Sequence, residues 1–155
     1  MHMSDVHSLR RSLTAQLLQA GRQWRRIAEN GLEKLGISEA CASPLVWTSR
    51  LGGGVRQVTL ASHVGIEGPS LVRLLDQLVA ANLVVRKDDP TDRRAKTIWL
   101  TAEGERLSAE IEDLLDGLRE RVLANVNEQD LAATLHVLKA FDETAIKSTA
   151  EKTPP

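Results

Sequence analysis

The sequence predicts a mainly α chain with a small β component (α+β), and three observations carry that expectation. Apolar residues recur at helical spacing over most of the length. The period switches to alternation once, between Leu83 and Leu100. Two short helical segments parted by Gly65 precede the switch, and two longer helical runs follow it.

The first helix is expected from Leu9 to Leu35, with Leu9, Leu13, Leu17, Trp24, Ile27 or Ala28, and Leu32 on its apolar face. Gly21 and Gly31 weaken it, and Gly36 is placed to end it. Ser38 can cap a second helix carrying Leu45, Val46 and Leu51. Pro44 is tolerable only near that helix's start. Gly52-Gly53-Gly54 reads as a loop. Short helices follow at about Arg56–Val64 and Pro69–Asn82, with Pro69 suited to a first helical turn. Leu83–Lys87 and Lys96–Leu100 read as the two strands of a hairpin with a long polar tip. Thr101 can cap the next helix, which carries Leu107, Ile111, Leu114, Leu115, Leu118 and Val122. Asn127 can cap the last, with Leu131, Leu135, Leu138 and Phe141 on its apolar side. Helix–turn–helix followed by a hairpin is a winged helix. The expected organisation is a winged helix-turn-helix lobe at 38–101, flanked by helices at 5–35 and 102–147 that form a dimerisation region. A polar tail at 148–155 is expected to be disordered. Met1-His2 before Met3 reads as a cloning remnant.

Composition excludes several classes. Of 155 residues, 42% are apolar and 26% charged, which is globular usage. No apolar run spans a bilayer and no signal-peptide core opens the chain, so a cytoplasmic protein without a membrane partner is expected. A single cysteine, Cys41, rules out an internal disulfide framework and a multi-cysteine zinc site. Cys41 reads as a small buried residue. Four scattered histidines lack ligand spacing, so no metal is expected. No enzyme constellation and no cofactor motif is visible: Gly52-Gly53-Gly54 lacks the lysine and preceding strand of a phosphate loop. The net charge of −1 says little about DNA binding, which needs only a local basic surface. Such a surface exists, because Arg86, Lys87, Arg93, Arg94 and Lys96 fall within eleven residues.

Helix-turn-helix packing needs a small residue at the crossing and a permissive residue at the turn, and Ala61 and Gly65 fit those roles. The polar face of the following helix carries Ser70, Arg73, Asp76 and Gln77. Such a face can lie in a major groove, where an arginine bonds guanine O6 and N7 together. The same pattern also fits a plain helical hairpin with a solvated face. The hairpin tip, Asp88-Asp89-Pro90-Thr91-Asp92-Arg93-Arg94-Ala95-Lys96, shifts the balance. An Asp two residues before an Arg can hold the guanidinium extended, and an Arg so held suits a narrow minor groove. Neighbouring Arg93 and Lys96 can meet phosphates.

The stretch from Ile66 to Lys96 resembles the SlyA branch of the MarR family. The resemblance is carried by Gly65-Ile66-Glu67-Gly68-Pro69-Ser70-Leu71-Val72-Arg73, Leu75-Asp76-Gln77-Leu78, the Asp92-Arg93-Arg94 wing, and Leu100-Thr101-Ala102-Glu103-Gly104. It implies that Pro69, Ser70 and Arg73 face the major groove, with Gln77 on the same helix. Arg94 would probe the minor groove and Asp92 would orient it. It further implies a homodimer on a palindromic duplex that represses genes until a small aromatic carboxylate or phenol binds. Candidate effector residues are Arg22, Trp24, Arg25, Trp47, Arg50 and His63. Arg22 is first choice for a carboxylate because it is close to Trp24, and Arg25 second. Each tryptophan taken alone also fits a core or interface position, and His63 fits a partly exposed helix residue. Two other functions remain open at this level. One is a winged-helix regulator without an effector, which displaces other DNA-binding proteins. The other is a helical adaptor whose wing binds an acidic partner.

Overall fold

The computed structural model describes residues 3–151, with side chains from 5 to 147. Helix α1 spans Met3–Leu32 and passes into a single 3-10 turn at Glu33–Leu35. Gly36 stops it at φ 69°, in the left-handed region that its missing Cβ permits. Helix α2 (Glu39–Arg50) starts at Ser38, whose hydroxyl accepts the Cys41 N–H at 3.2 Å. Strand β1 (Val55–Arg56), α3 (Gln57–Val64) and α4 (Gly68–Ala80) follow, with Gly65 turning the chain at φ 77°. Strands β2 (Val84–Asp88) and β3 (Lys96–Leu100) make the wing, and α5 (Ala102–Val122) and α6 (Glu128–Glu151) complete the chain. Helix α6 runs on to Glu151, so residues 148–151 of the tail expected to be disordered are helical, while the Met1-His2 remnant and residues 152–155 lie outside the described residues. No helix among the described residues is long and apolar enough to cross a membrane.

The chain divides into two compact units, one up to Arg119 and one from Glu120 on. In the first, Leu32, Leu45, Leu60, Leu71, Leu75, Ile98 and Ile111 form a single buried cluster. Leu71, Leu75 and Leu78 recur at helical spacing, so α4 turns one apolar face to this core and leaves its polar face outside. Gly31 lets α1 approach α5, since a Cβ there would stand 2.8 Å from Leu118 Cδ1. In the second unit, Asn127 caps α6 by accepting the Asp130 N–H at 2.8 Å. Leu135, Phe141 and Ile146 on that helix are exposed by 63%, 41% and 69%.

Two expectations need correction. The hairpin is part of a three-stranded antiparallel sheet ordered β1-β3-β2, with Val55 opposite Ile98 and Val84 opposite Leu100. A two-residue strand such as β1 shows no period by which a sequence could betray it. Pro44 sits well inside α2 and not in its first turn. It withdraws one helical N–H, which in an isolated helix costs about 3 kcal/mol. Its ring is buried, and the Thr48 hydroxyl donates to the Pro44 carbonyl at 2.7 Å.

Candidate functional site

The exposed face of α4 and the wing tip are built by short-range chemistry. Pro69 occupies the first turn of α4, where no N–H is missed. Ser70, Arg73 and Gln77 are exposed along the helix. Arg73 carries no hydrogen bond or ion pair among the described residues. Asp76, on the same face, is not free: it accepts from Arg86 Nη1 at 2.7 Å, and Arg86 Nη2 donates to the Val72 carbonyl at 3.2 Å. Arg86 therefore braces α4 against β2, and its charge is neutralised internally.

At the tip, the Ala95 N–H meets the Asp92 carbonyl at 3.0 Å and closes a four-residue turn. The Asp92 carboxylate accepts the backbone N–H of Arg94 at 3.0 Å. It thus shapes the turn as aspartates do at this position and does not hold the Arg94 guanidinium, as the sequence suggested. The base of the tip is Asp89, which is 7% exposed. It accepts from the Thr91 hydroxyl at 2.7 Å, the Thr91 N–H at 2.8 Å and Arg56 Nε at 2.7 Å. These bonds favour the carboxylate, Thr91's hydroxyl most of all, and lower its pKa from 3.8 to about 2. Lys96 pairs with Asp88 across the strands. Both partners are exposed, so the pair is weak and exchangeable. Arg93 and Arg94 are exposed at the apex with no side-chain partner among the described residues. Of the basic residues around the wing, Arg56, Arg86 and Lys96 are paired with carboxylates, Lys87 lies over the Trp99 ring at 4.9 Å, and the two apex guanidiniums remain uncommitted.

A second feature is a cleft of about 170 Å³ among α1, α2 and α5. Three of the six candidate effector residues, Trp24, Trp47 and Arg50, line it together with Glu39, Leu115 and Arg119. Arg50 lies over the Trp47 ring at 5.2 Å and Arg119 over the Trp24 ring at 5.9 Å. Glu112 takes Arg50 in a two-point bond, 2.6 Å from Nε and 2.9 Å from Nη2, and reaches Arg119 at 3.6 Å. The Arg50 bond holds the Glu112 carboxyl below its ordinary pKa and raises that of Arg50. Arg22 and Arg25 are exposed and do not line the cleft. Trp24, Ala28 and Leu32 share one side of α1; relative to Trp24, Arg25 is rotated by about 100° and Arg22 by about 160°. His63 is outside the cleft wall and packs on Trp47 with ring centroids 4.9 Å apart. Arg119 is the residue that sequence reading missed. Nothing in its own helix marks it, since its neighbour Trp24 is a full domain away in sequence.

A sequence model of the MarR family matches residues 35–95, which include β1, α3, α4 and most of the wing. The transcriptional regulator PA3341 is 36% identical to this chain, superposes with a TM-score of 0.80, and aligns over 87% of this chain and 98% of its own. The chain belongs to the MarR family. A MarR-family transcriptional regulator from Rhodococcus sp. RHA1 is 26% identical, with a TM-score of 0.77 over 91% of this chain and 95% of its own. A mutant of MarR from E. coli, solved with operator DNA, is similar at the level of fold alone: 22% identity and a TM-score of 0.75 over 84% of this chain and 93% of its own. MarR proteins are transcriptional regulators, and this chain carries their winged-helix DNA-binding fold.

The family motif also acquires a physical reason here. The closing Leu100-Thr101-Ala102-Glu103-Gly104 is a joint between α4, the wing and α5. The Thr101 hydroxyl donates to the Asn82 carbonyl at 2.7 Å and accepts the Gly104 N–H at 3.0 Å, capping α5. A Cβ on Gly104 would lie 2.0 Å from the Leu83 carbonyl oxygen, so only glycine fits.

Proposed function

We propose that the chain is a homodimeric repressor of the SlyA-like branch. Each α4 would enter the major groove of a palindromic operator, and each wing tip the adjoining minor groove. The lobe at 38–101 would contact DNA, with the helices at 5–35 and 102–147 joining the two copies. The observation that carries this reading is the pattern of free charge. Around α4 and the wing, Arg73, Arg93 and Arg94 are the exposed arginines without partners among the described residues, while Arg56 and Arg86 are bound to carboxylates that brace the fold. Pro69, Ser70 and Gln77 extend the same helical face, Asp92 presents the apex, and Lys96 is readily released from Asp88. Arg73→Ala is expected to weaken operator binding by about 1–3 kcal/mol and relax preference at one position per half-site. Arg94→Ala is expected to weaken binding most at A/T-rich flanks with a narrow minor groove. Electrophoretic titrations at physiological salt check both; either variant matching wild type would remove that residue's role.

The cleft supports a ligand-responsive regulator. Two indoles and two guanidiniums around a small cleft suit a small aromatic acid or phenol, and an apolar cavity of about 150 Å³ is known to admit a single benzene ring. Arg50 and Arg119 line the cleft where Arg22 and Arg25 do not, but each is paired, Arg50 with Glu112 and Arg119 with Asp116 at 2.6 Å, so a ligand carboxylate would have to displace one of those partners. Such a ligand would release DNA if it bound the DNA-free form better. Calorimetric titration of salicylate-like and hydroxybenzoate-like acids, with and without operator, tests this, and Arg50→Ala should blunt the response. Absence of heat at millimolar concentration, with operator binding unchanged, would favour regulation without an effector.

A further inference from the structure

Gln77 lies on the exposed side of α4 one turn beyond Arg73, but its amide is held at one end. Its Oε1 is 3.3 Å from the Sγ of Cys41 on α2. Cys41 is itself 7% exposed and part of the central apolar cluster, so the thiol is fixed in place by packing. A thiol carries one weakly donated proton and is a poor acceptor. The carbonyl end of the Gln77 amide therefore turns toward the core, and its NH₂ end is left for a partner outside.

We propose that Cys41 is a positioning residue that sets which bases Gln77 reads, and that Gln77 favours a keto base, guanine or thymine, beneath it in the major groove. The inference rests on the reading that α4 enters that groove. A glutamine recognises adenine by two bonds at once: its oxygen accepts from N6 while its nitrogen donates to N7. With Oε1 turned to the Cys41 thiol, that pairing is lost and the amide offers donors. Guanine presents O6 and N7 as acceptors and thymine presents O4, whereas cytosine presents only a donor. The thiol thereby converts a side chain suited to adenine into a reader of acceptors. Arg73, one turn away, has no hydrogen bond to Cys41 among the described residues, so its reading is expected to be unchanged.

The test is selection of binding sites from a duplex library randomised through one half-site, using the full chain. The wild type and Cys41→Ser, whose hydroxyl also donates, are expected to select guanine or thymine at the same position. Cys41→Ala is expected to shift that position toward adenine by roughly tenfold and leave the others unchanged. Gln77→Ala should flatten that position. Gln77→Lys, which can only donate, should keep the keto preference, and it does not depend on how the core tolerates a change at Cys41. A Cys41→Ala protein that selects the wild-type base, a Gln77→Ala protein with an unaltered profile, or a wild type that selects adenine there overturns the proposal. A wild type that selects no sequence at all overturns the DNA reading beneath it, and this proposal with it.

Discussion

Asp89 and Gly104 show how single residues set the geometry on which the candidate interface depends. Asp89 ties the tip of the wing to Thr91 and Arg56, and its carboxyl titrates at about 2 in the folded chain against an ordinary 3.8. A lowered folded pKa means that the stabilisation is complete above the unfolded value and is lost as pH falls from about 4 toward about 2. Asp89→Asn should accordingly melt below wild type at neutral pH, with the gap closing across that acid range. Thermal melts at several pH values check this, and a gap independent of pH would assign the loss to shape and not to charge. Gly104→Ala must push the Leu83 carbonyl aside, and overpacking of this kind is worth about 1–3 kcal/mol. Gly117, in the middle of α5 with nothing near its missing Cβ, is the contrasting case: Gly117→Ala should stabilise by up to about 1 kcal/mol. Denaturant titration of the two variants should move the midpoint in opposite directions. The sequence alone marked Gly104 as part of a motif, but the reason for the glycine is a carbonyl some twenty residues earlier in the chain.

Among the elements, those with a period were legible and those without were not. The apolar spacing placed all the helices, and Gly36, Gly65, Ser38, Thr101 and Asn127 marked their ends because each acts on the backbone within four residues. The wing strands were legible by alternation, yet β1, two residues long, was not. The brace between α4 and β2 was also out of reach, since Arg86 is indistinguishable in sequence from the other cations of its run. That brace makes a prediction. Arg86→Gln should leave the protein folded but loosen α4 relative to the wing, so that operator affinity falls while the slope of log K against log salt is kept. Loss of one phosphate contact would instead lower that slope by about 0.9. Salt titrations of Arg86→Gln beside Arg93→Ala separate a brace from a contact.

For the whole molecule, the net charge of −1 sums 20 basic and 21 acidic residues and says nothing of where they lie. The uncovered apolar residues speak more clearly. Leu9, Leu13 and Leu18 on α1, and Leu135, Phe141 and Ile146 on α6, are each more than 40% exposed in the single chain. Exposed apolar faces on helices suit an interface, and a second copy of the same chain is the commonest way to cover them. Leu17, Leu131 and Leu138, on the apolar faces expected for the same two helices, are part-buried already. Sedimentation of a dilute sample should show a dimer, and Leu135→Glu should abolish it. A stable, folded wild-type monomer would refute the assembly. The cleft was only half legible for the same reason that the interface was: periodicity tells which side of a helix is apolar, but not that Arg119 on α5 comes to lie over Trp24 on α1.

The placement of the three tryptophans has an optical consequence. The chain contains no tyrosine, so its ultraviolet emission comes from Trp24, Trp47 and Trp99 alone. Trp24 and Trp47 each lie beneath a guanidinium in the cleft, while Trp99 rests on Gly53 and Gly54 beside the wing, with a ring carbon 2.7 Å from where a Gly54 Cβ would stand. A Trp99→Phe protein would therefore glow only from the cleft, and a Trp24→Phe, Trp47→Phe protein only from the wing. The native fluorophores divide the molecule into its two places of interest, and no attached dye is needed to watch either one respond.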